Sequence, residues 1–167
     1  MKQMIIAIIG PSGAGKTFAS EFLKEKMGIP VIVSYTTRPM RDGETNGVEH
    51  HFVDESMMPP KEQMMAYTKY GNYHYWTTFS QAPRSGMCTY VIDEKGLLDL
   101  IYADFIEIRA VYINRDKDTL EREVSKERIE RDSDRIEINK QLYKCIIDNN
   151  GTLEEFKDKL RTMANNI

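Results

Sequence analysis

Gly10-Pro11-Ser12-Gly13-Ala14-Gly15-Lys16-Thr17 follows directly on the apolar run 4–9 and opens a helical pattern. Glycines at the start of this stretch and before the lysine let the backbone approach a ligand that side chains would keep away. Successive N–H groups of such a loop, with the positive end of the helix behind it, surround phosphates. Lys16 then neutralises the β and γ oxygens, and the Thr17 hydroxyl is placed to ligate Mg²⁺. The motif in this context predicts a site for ATP built from Gly10, Ser12, Gly13, Ala14, Gly15, Lys16 and Thr17, with Lys16 also catalytic.

Outward from the loop, short apolar runs recur at 31–34, 88–93 and 105–113, with a weaker one at 145–147, and helical patterns lie between them. That alternation predicts an α/β fold, a P-loop NTPase core whose parallel sheet is flanked by helices. The first helix, about 17–27, gathers Phe18, Ala19, Phe22 and Leu23 on one face and stops at Gly28 ahead of Pro30. The last carries Leu153, Phe156, Leu160 and Met163, and Thr152 with Glu155 reads as a capping box.

Two stretches break the alternation. Residues 35–85 are far too long for an ordinary βα connection and predict an inserted subdomain. Residues 125–136 carry a dense charge run, which reads as a lid or, more plainly, as a solvated helix face. With 167 residues, the chain is read as a single domain, 1–167, with a core that needs no disulfide. A net charge of −3 gives no global positive field, so a nucleic-acid partner is not expected. The two cysteines, Cys88 and Cys145, sit apart in apolar runs as free thiols of a reducing compartment, neither catalytic. No run suits a signal peptide or a membrane span, so the expected location is the cytoplasm, as a monomer or homodimer.

Asp93 ends a strand-like run, which would bring its carboxylate to the carboxyl edge of the sheet as a partner for Thr17 in holding metal; a plain helix cap explains it equally. In Ser34-Tyr35-Thr36-Thr37-Arg38-Pro39-Met40-Arg41, two guanidinium forks stand three apart around a proline, suited to clamping one phosphate. Met57, Met58, Met64 and Met65 read as gap-filling core residues. The aromatics Tyr67, Tyr70, Tyr73, Tyr75 and Trp76 read either as a stacking surface or as a small core of their own. Asp148-Asn149-Asn150-Gly151-Thr152 is either a capped turn or an adenine contact through Asn149.

The loop 10–17, the segment 33–44, Gly47-Val48-Glu49-His50-His51-Phe52-Val53 and Gly71-Asn72-Tyr73 together resemble the guanylate kinase family, clearly over the amino-terminal half and in outline beyond it. The resemblance implies a GMP-binding subdomain, a mobile lid and Mg²⁺-assisted transfer from ATP to a purine monophosphate. It implies acceptor-phosphate contacts from Ser34, Arg38, Arg41 and Tyr75, a base contact from Thr77, and His50 in place of a tyrosine. Asp93 joins the acceptor site, and Arg131 and Arg135 become catalytic lid arginines. It also implies departures: counting back from Gly71, Met65 stands where the family has its guanine-reading glutamate, after a shortened helix. Val91 replaces an acidic residue and Gln141 an arginine. Kinases of this build for another nucleotide or for a non-nucleotide acceptor, and a non-catalytic binding module, remain alternatives.

Overall fold

The computed structural model describes residues 3–167. β1 (Met4–Ile9) leads through the glycine loop into α1 (Lys16–Met27), then β2 (Val31–Ile32), β3 (Tyr35–Thr36) and β4 (His51–Phe52). β5 (Met64–Tyr70) and β6 (Tyr73–Thr78) form a hairpin, followed by β7 (Met87–Val91), α2 (Glu94–Ala103) and β8 (Glu107–Asn114). α3 (Lys117–Glu123), α4 (Lys126–Ser133), β9 (Tyr143–Asp148) and α5 (Leu153–Asn166) complete the chain.

Five strands make a parallel sheet in the order β2-β7-β1-β8-β9. β1 lies at its centre with every residue from Ile5 to Ile9 buried, as a strand covered on both faces requires. Its alternation divides the core. Ile6 and Ile8 pack with Phe22 and Leu23 of α1 and Phe156 and Leu160 of α5, while Ile5, Ala7 and Ile9 pack with Leu97 and Leu100 of α2. The fold is α/β with a parallel sheet flanked by helices, in agreement with the sequence pattern.

Helix ends follow local chemistry. Gly28 is left-handed at φ 67° and closes α1: its N–H donates to Lys24 O and that of Ile29 to Leu23 O. The capping box at Thr152 forms, with Thr152 Oγ1 accepting from Glu155 N–H and Glu155 accepting from Thr152 N–H.

Strands β3 to β6, all within the long interruption, build a second sheet in the order β4-β3-β6-β5. Two departures from the sequence reading matter. Among the described residues no α-helix lies between β4 and β5; there are only single 3₁₀ turns at Glu55–Met57 and Lys61–Gln63. Pro59 and Pro60 stand between them, removing N–H donors and driving the residues before them into extended backbone. Among the methionines, Met64 and Met65 are buried as expected, but Met57 is 65% exposed. Neither cysteine is in a disulfide; burial pushes the Cys88 thiol up to about 12 and raises that of Cys145 as well.

Candidate active site

Between the glycine loop, the second sheet and α4 lies a cleft of about 470 Å³, within the range of small-ligand sites. Gly10, Ser12, Lys16 and Thr17 form one wall and Ser34, Arg38, Arg41, His50 and Tyr75 the opposite one. Asp93 lines the cleft from just past β7, and Arg128, Arg131 and Arg135 line it from the segment 125–136.

The loop needs its glycines. Gly15, at φ 101°, is the residue before α1, and a Cβ there would stand 2.9 Å from Asn149 Nδ2. Gly13, at φ 78°, would drive a Cβ to 2.4 Å from a Val124 methyl. Lys16 folds back over the loop, its Nζ donating to Gly10 O and Pro11 O, both at 2.7 Å. Burial, and then the Arg135 guanidinium, push its ammonium down to about 7.

Gly13, Ala14, Gly15 and Asn149 do not line this cleft. Ala14 is fully buried in the core beneath the loop. Asn149 Nδ2 donates to Ala14 O at 2.9 Å. Gly15 and Asn149 open instead onto a smaller hollow of about 300 Å³ shared with Phe18, Arg115 and Phe156. Arg115 ties this hollow to the loop, donating to Gly13 O at 2.8 Å, and pairs with Glu123 at 2.9 Å.

On the far wall, Arg38 is buried and makes a two-pronged pair with Glu44, at 2.9 and 2.8 Å, with its guanidinium 5.3 Å from the centre of the Phe52 ring. Glu44 also accepts from the Arg41 N–H at 2.8 Å. Hydrogen bonds from Arg38 hold its carboxyl down to about 2. Arg41 itself is 40% exposed and points toward Glu127 of α4 at 3.9 Å. His50 Nδ1 lies 2.8 Å from Ser34 Oγ, and its ring meets Tyr75 edge-on. Burial and the Arg38 charge push this imidazole down to about 4, so it is neutral near pH 7.

Thr77 does not reach the cleft. It is fully buried and donates to the Tyr90 hydroxyl at 3.1 Å. Met65 does not reach it either, packing against Ile5, Ile32 and Leu97. A bulge in β5 sets this: Met64 pairs with Thr78 and Ala66 with Thr77, so Met65 is the extra residue, and the neighbouring Ala66 is among the residues that line the cleft. Gln141 sits exposed in a 3₁₀ turn outside the cleft.

Asp93 is heavily engaged. It caps α2 by accepting from Gly96 N–H at 2.7 Å, accepts from Thr68 Oγ1 at 3.2 Å, and takes a further hydrogen bond from the Tyr70 hydroxyl. In the segment 125–136, Arg135 forks onto the buried Glu94, with Nε at 3.0 Å, and is itself only partly exposed. Arg131 donates to Ser12 Oγ at 2.9 Å and lies over the Tyr70 ring. Asp132 accepts from the Ser12 backbone N–H at 2.7 Å and from its hydroxyl at 3.1 Å.

Sequence reasoning missed Glu94, Asp132, Ala66 and Arg115. Arg115 alone carried a usable signal, because it directly follows the strand β8 beside the loop. Glu94 and Asp132 acquire meaning only through partners 41 and 120 positions away, and Ala66 through the bulged pairing of β5 with β6, none of which a local pattern identifies.

A family model described as guanylate kinase matches residues 1–166. The chain belongs to the guanylate kinase family. Among individual proteins, it is 41% identical over 78 residues to a guanylate kinase of Legionella pneumophila (strain Lens), covering 44% of this chain and 37% of that protein. It is 52% identical over 54 residues to one of Chromohalobacter salexigens, covering 32% of this chain and 25% of the relative. These matches therefore span about a quarter to two fifths of the relatives' own length. The solved guanylate kinase of Anaplasma phagocytophilum shares the fold at TM-score 0.71, with 18% identity over 99% of this chain and 87% of that one. In this guanylate kinase family member, Arg38 and Arg41 line the same cleft as Gly10, Ser12, Lys16 and Thr17, while Met65 is buried in the core and Gln141 lies outside the cleft.

Proposed function

We propose that this protein is an ATP-dependent kinase that transfers the γ-phosphoryl group to a purine nucleoside monophosphate, GMP or dGMP by family resemblance. The observation that carries the reading is the cleft itself, lined both by Gly10, Ser12, Lys16 and Thr17 of the phosphate loop and its helix and by the Arg38, Arg41 and Tyr75 group. Two anion sites facing each other suit a reaction in which one phosphate attacks another.

The residues divide the work. Backbone N–H groups of 10–17 and the Lys16 ammonium bind the β and γ phosphates. Arg38, Arg41 and Tyr75 hold the acceptor phosphate in line, with Ser34 and neutral His50 donating beside them. Arg131, already against the loop, stabilises charge on the transferred group; Arg135 does so only after leaving Glu94. Positioning and electrostatics suffice for such a transfer without a covalent nucleophile. The smaller hollow, with Asn149, Arg115 and Phe18, suits the adenine of ATP. For Thr77, buried on Tyr90, a base contact requires that pair to open.

Mg²⁺ fits the donor set: the Thr17 hydroxyl faces the cleft, Asp93 stands nearby, and this ion commonly takes few protein ligands and keeps several waters. Thr17 would hold it directly. Asp93, carrying three protein donors, would do so through water. Held there, Mg²⁺ would supply neutralisation of the charge that develops during the transfer. The partners proposed are free nucleotides rather than nucleic acid or membrane, with action in the cytoplasm as a monomer or homodimer. Among the described residues no helix is long and apolar enough to cross a membrane.

ADP release from Mg·ATP with a panel of ribo- and deoxynucleoside monophosphates tests the proposal. Turnover with GMP or dGMP that disappears in Lys16→Ala is the expected result. Absence of turnover with every monophosphate refutes it.

A further inference from the structure

β9 is an edge of the parallel sheet, bonded to β8 alone. Residues of a parallel strand turn their main-chain groups alternately to one side and the other. Asn149 N–H donates to Asn114 O at 2.9 Å, so from Cys145 onward the odd-numbered residues serve β8, and Ile146 and Asp148 turn their N–H and C=O outward. The Asp148 carbonyl, which takes Lys159 Nζ at 2.8 Å, keeps a second lone pair. Side chains alternate likewise. Ile147 is buried with Phe156 and Leu160, and Cys145 packs against the same cluster, while Lys144, Ile146 and Asp148 share the opposite face and are exposed, Ile146 to 54%. A groove of about 620 Å³ runs between this strand and the end of α5, with Ile146, Met163 and Ile167 in its lining. An exposed apolar edge with no proline in it is a template for another strand.

The charges on β9 say which strand. Lys144 pairs with no carboxylate among the described residues. Asp148 Oδ1 accepts from Asn114 Nδ2 at 3.0 Å and Asn150 Nδ2 at 2.6 Å, neither of which cancels its charge. Two β9 strands paired antiparallel about Ile146 set Lys144 of each opposite Asp148 of the other, with Ile146 against Ile146 exchanging both main-chain hydrogen bonds. Paired in parallel in the same register, they would set lysine against lysine and aspartate against aspartate. The strand is thus complementary to itself, and in one direction only, as a two-fold contact requires.

We propose that β9 is the contact between two copies of this chain, paired antiparallel about Ile146 so that the two five-stranded sheets run on as one across a two-fold axis. The same axis brings the two grooves, with Met163 and Ile167 in them, toward each other, adding apolar burial to the strand pairing. The contact does not depend on phosphotransfer, and sedimentation reads it without nucleotide.

Sedimentation velocity from about 1 to about 100 μM is the test, on the unmodified protein, on Ile146→Lys, Lys144→Asp and Asp148→Lys, and on the last two combined. The unmodified protein is expected to form a dimer within that range and Ile146→Lys to form none. Each single charge reversal is expected to weaken the dimer by about tenfold or more, and the combined variant to return to within about threefold of the unmodified protein, because the opposite charges face each other again. A protein that stays monomeric at about 100 μM overturns the inference. So does a dimer that Ile146→Lys and Lys144→Asp leave intact, which would use another face. Weakening in both single reversals without recovery in the combined variant overturns the pairing about Ile146. Far-UV circular dichroism shows which variants fold. Asp148 also holds Asn114 and Asn150; if the variants carrying Asp148→Lys do not fold, Ile146→Lys and Lys144→Asp, both at exposed side chains, decide.

Discussion

With its ammonium pushed down to about 7, Lys16 is half neutral in the ligand-free protein near pH 7. Burial is the first cause and the Arg135 charge the next; bound phosphates reverse both, because an adjacent anion favours the charged form. The sign of the pH effect follows. Capture of ATP by free enzyme needs Lys16 protonated, so kcat/KM for ATP is expected to fall above pH 7, approaching tenfold per unit, while kcat stays flat across the same range. Steady-state kinetics between pH 6 and 9 check this, and parallel profiles for the two parameters would refute it. His50 contributes no inflection there, since its imidazole is held down to about 4. At this scale the sequence announced most of the side chains that line the cleft, whose chemistry is carried by residue type and spacing. Their protonation was illegible because it depends on burial and on charges brought in from the lid.

At the scale of the element, α4 behaves differently from the charge run it resembles in sequence. Asp132 lays a carboxylate on the Ser12 amide, one of the N–H groups that the loop would present to phosphate, while Arg131 secures the Ser12 hydroxyl. The segment 125–136 is therefore docked on the loop through an anion of its own, and it is tied down a second time by Arg135 on Glu94. Under the proposed function, nucleotide would have to displace Asp132. Removing that competitor, a partly exposed charge-assisted contact contributing about 1 kcal/mol, is expected to lower KM for ATP roughly fivefold in Asp132→Ala. The comparison belongs at pH 6, where Lys16 is charged, because Asp132 also supports the Lys16 ammonium. An unchanged or raised KM at that pH would show that the carboxylate does not compete. Helix α4 was legible as a charged segment. Its docking was not, because Ser12 and Asp132 lie 120 positions apart and nothing local pairs them.

Across the whole molecule, the parallel sheet was readable because each βα unit writes its own period and caps into contiguous sequence. The second sheet was readable only as an interruption, since the β5 bulge and the pairing of β3 with both β4 and β6 are set by distant partners. Those partners also join the sheets. Met65 and Ala66 of β5 share a core cluster with Ile5, Ala7 and Ile9 of β1 and Leu97 and Leu100 of α2. Lys95 Nζ donates to Tyr67 O at 2.8 Å, Thr77 to the Tyr90 hydroxyl, and Gln81 Nε2 to Val33 O at 2.7 Å. Opening the second sheet alone would expose apolar surface of the central strand and break these pairs, so the two sheets are expected to unfold together. Trp76, the single tryptophan, reports on this directly: it is 2% exposed on β6 and stacks on Tyr35 with ring centres 5.6 Å apart. In urea, its fluorescence and the far-UV circular dichroism should share one midpoint, with calorimetric and van't Hoff enthalpies equal. A tryptophan transition at lower urea than the dichroism would mean that the β5 contacts do not couple the second sheet to the core, and that it opens as a unit of its own.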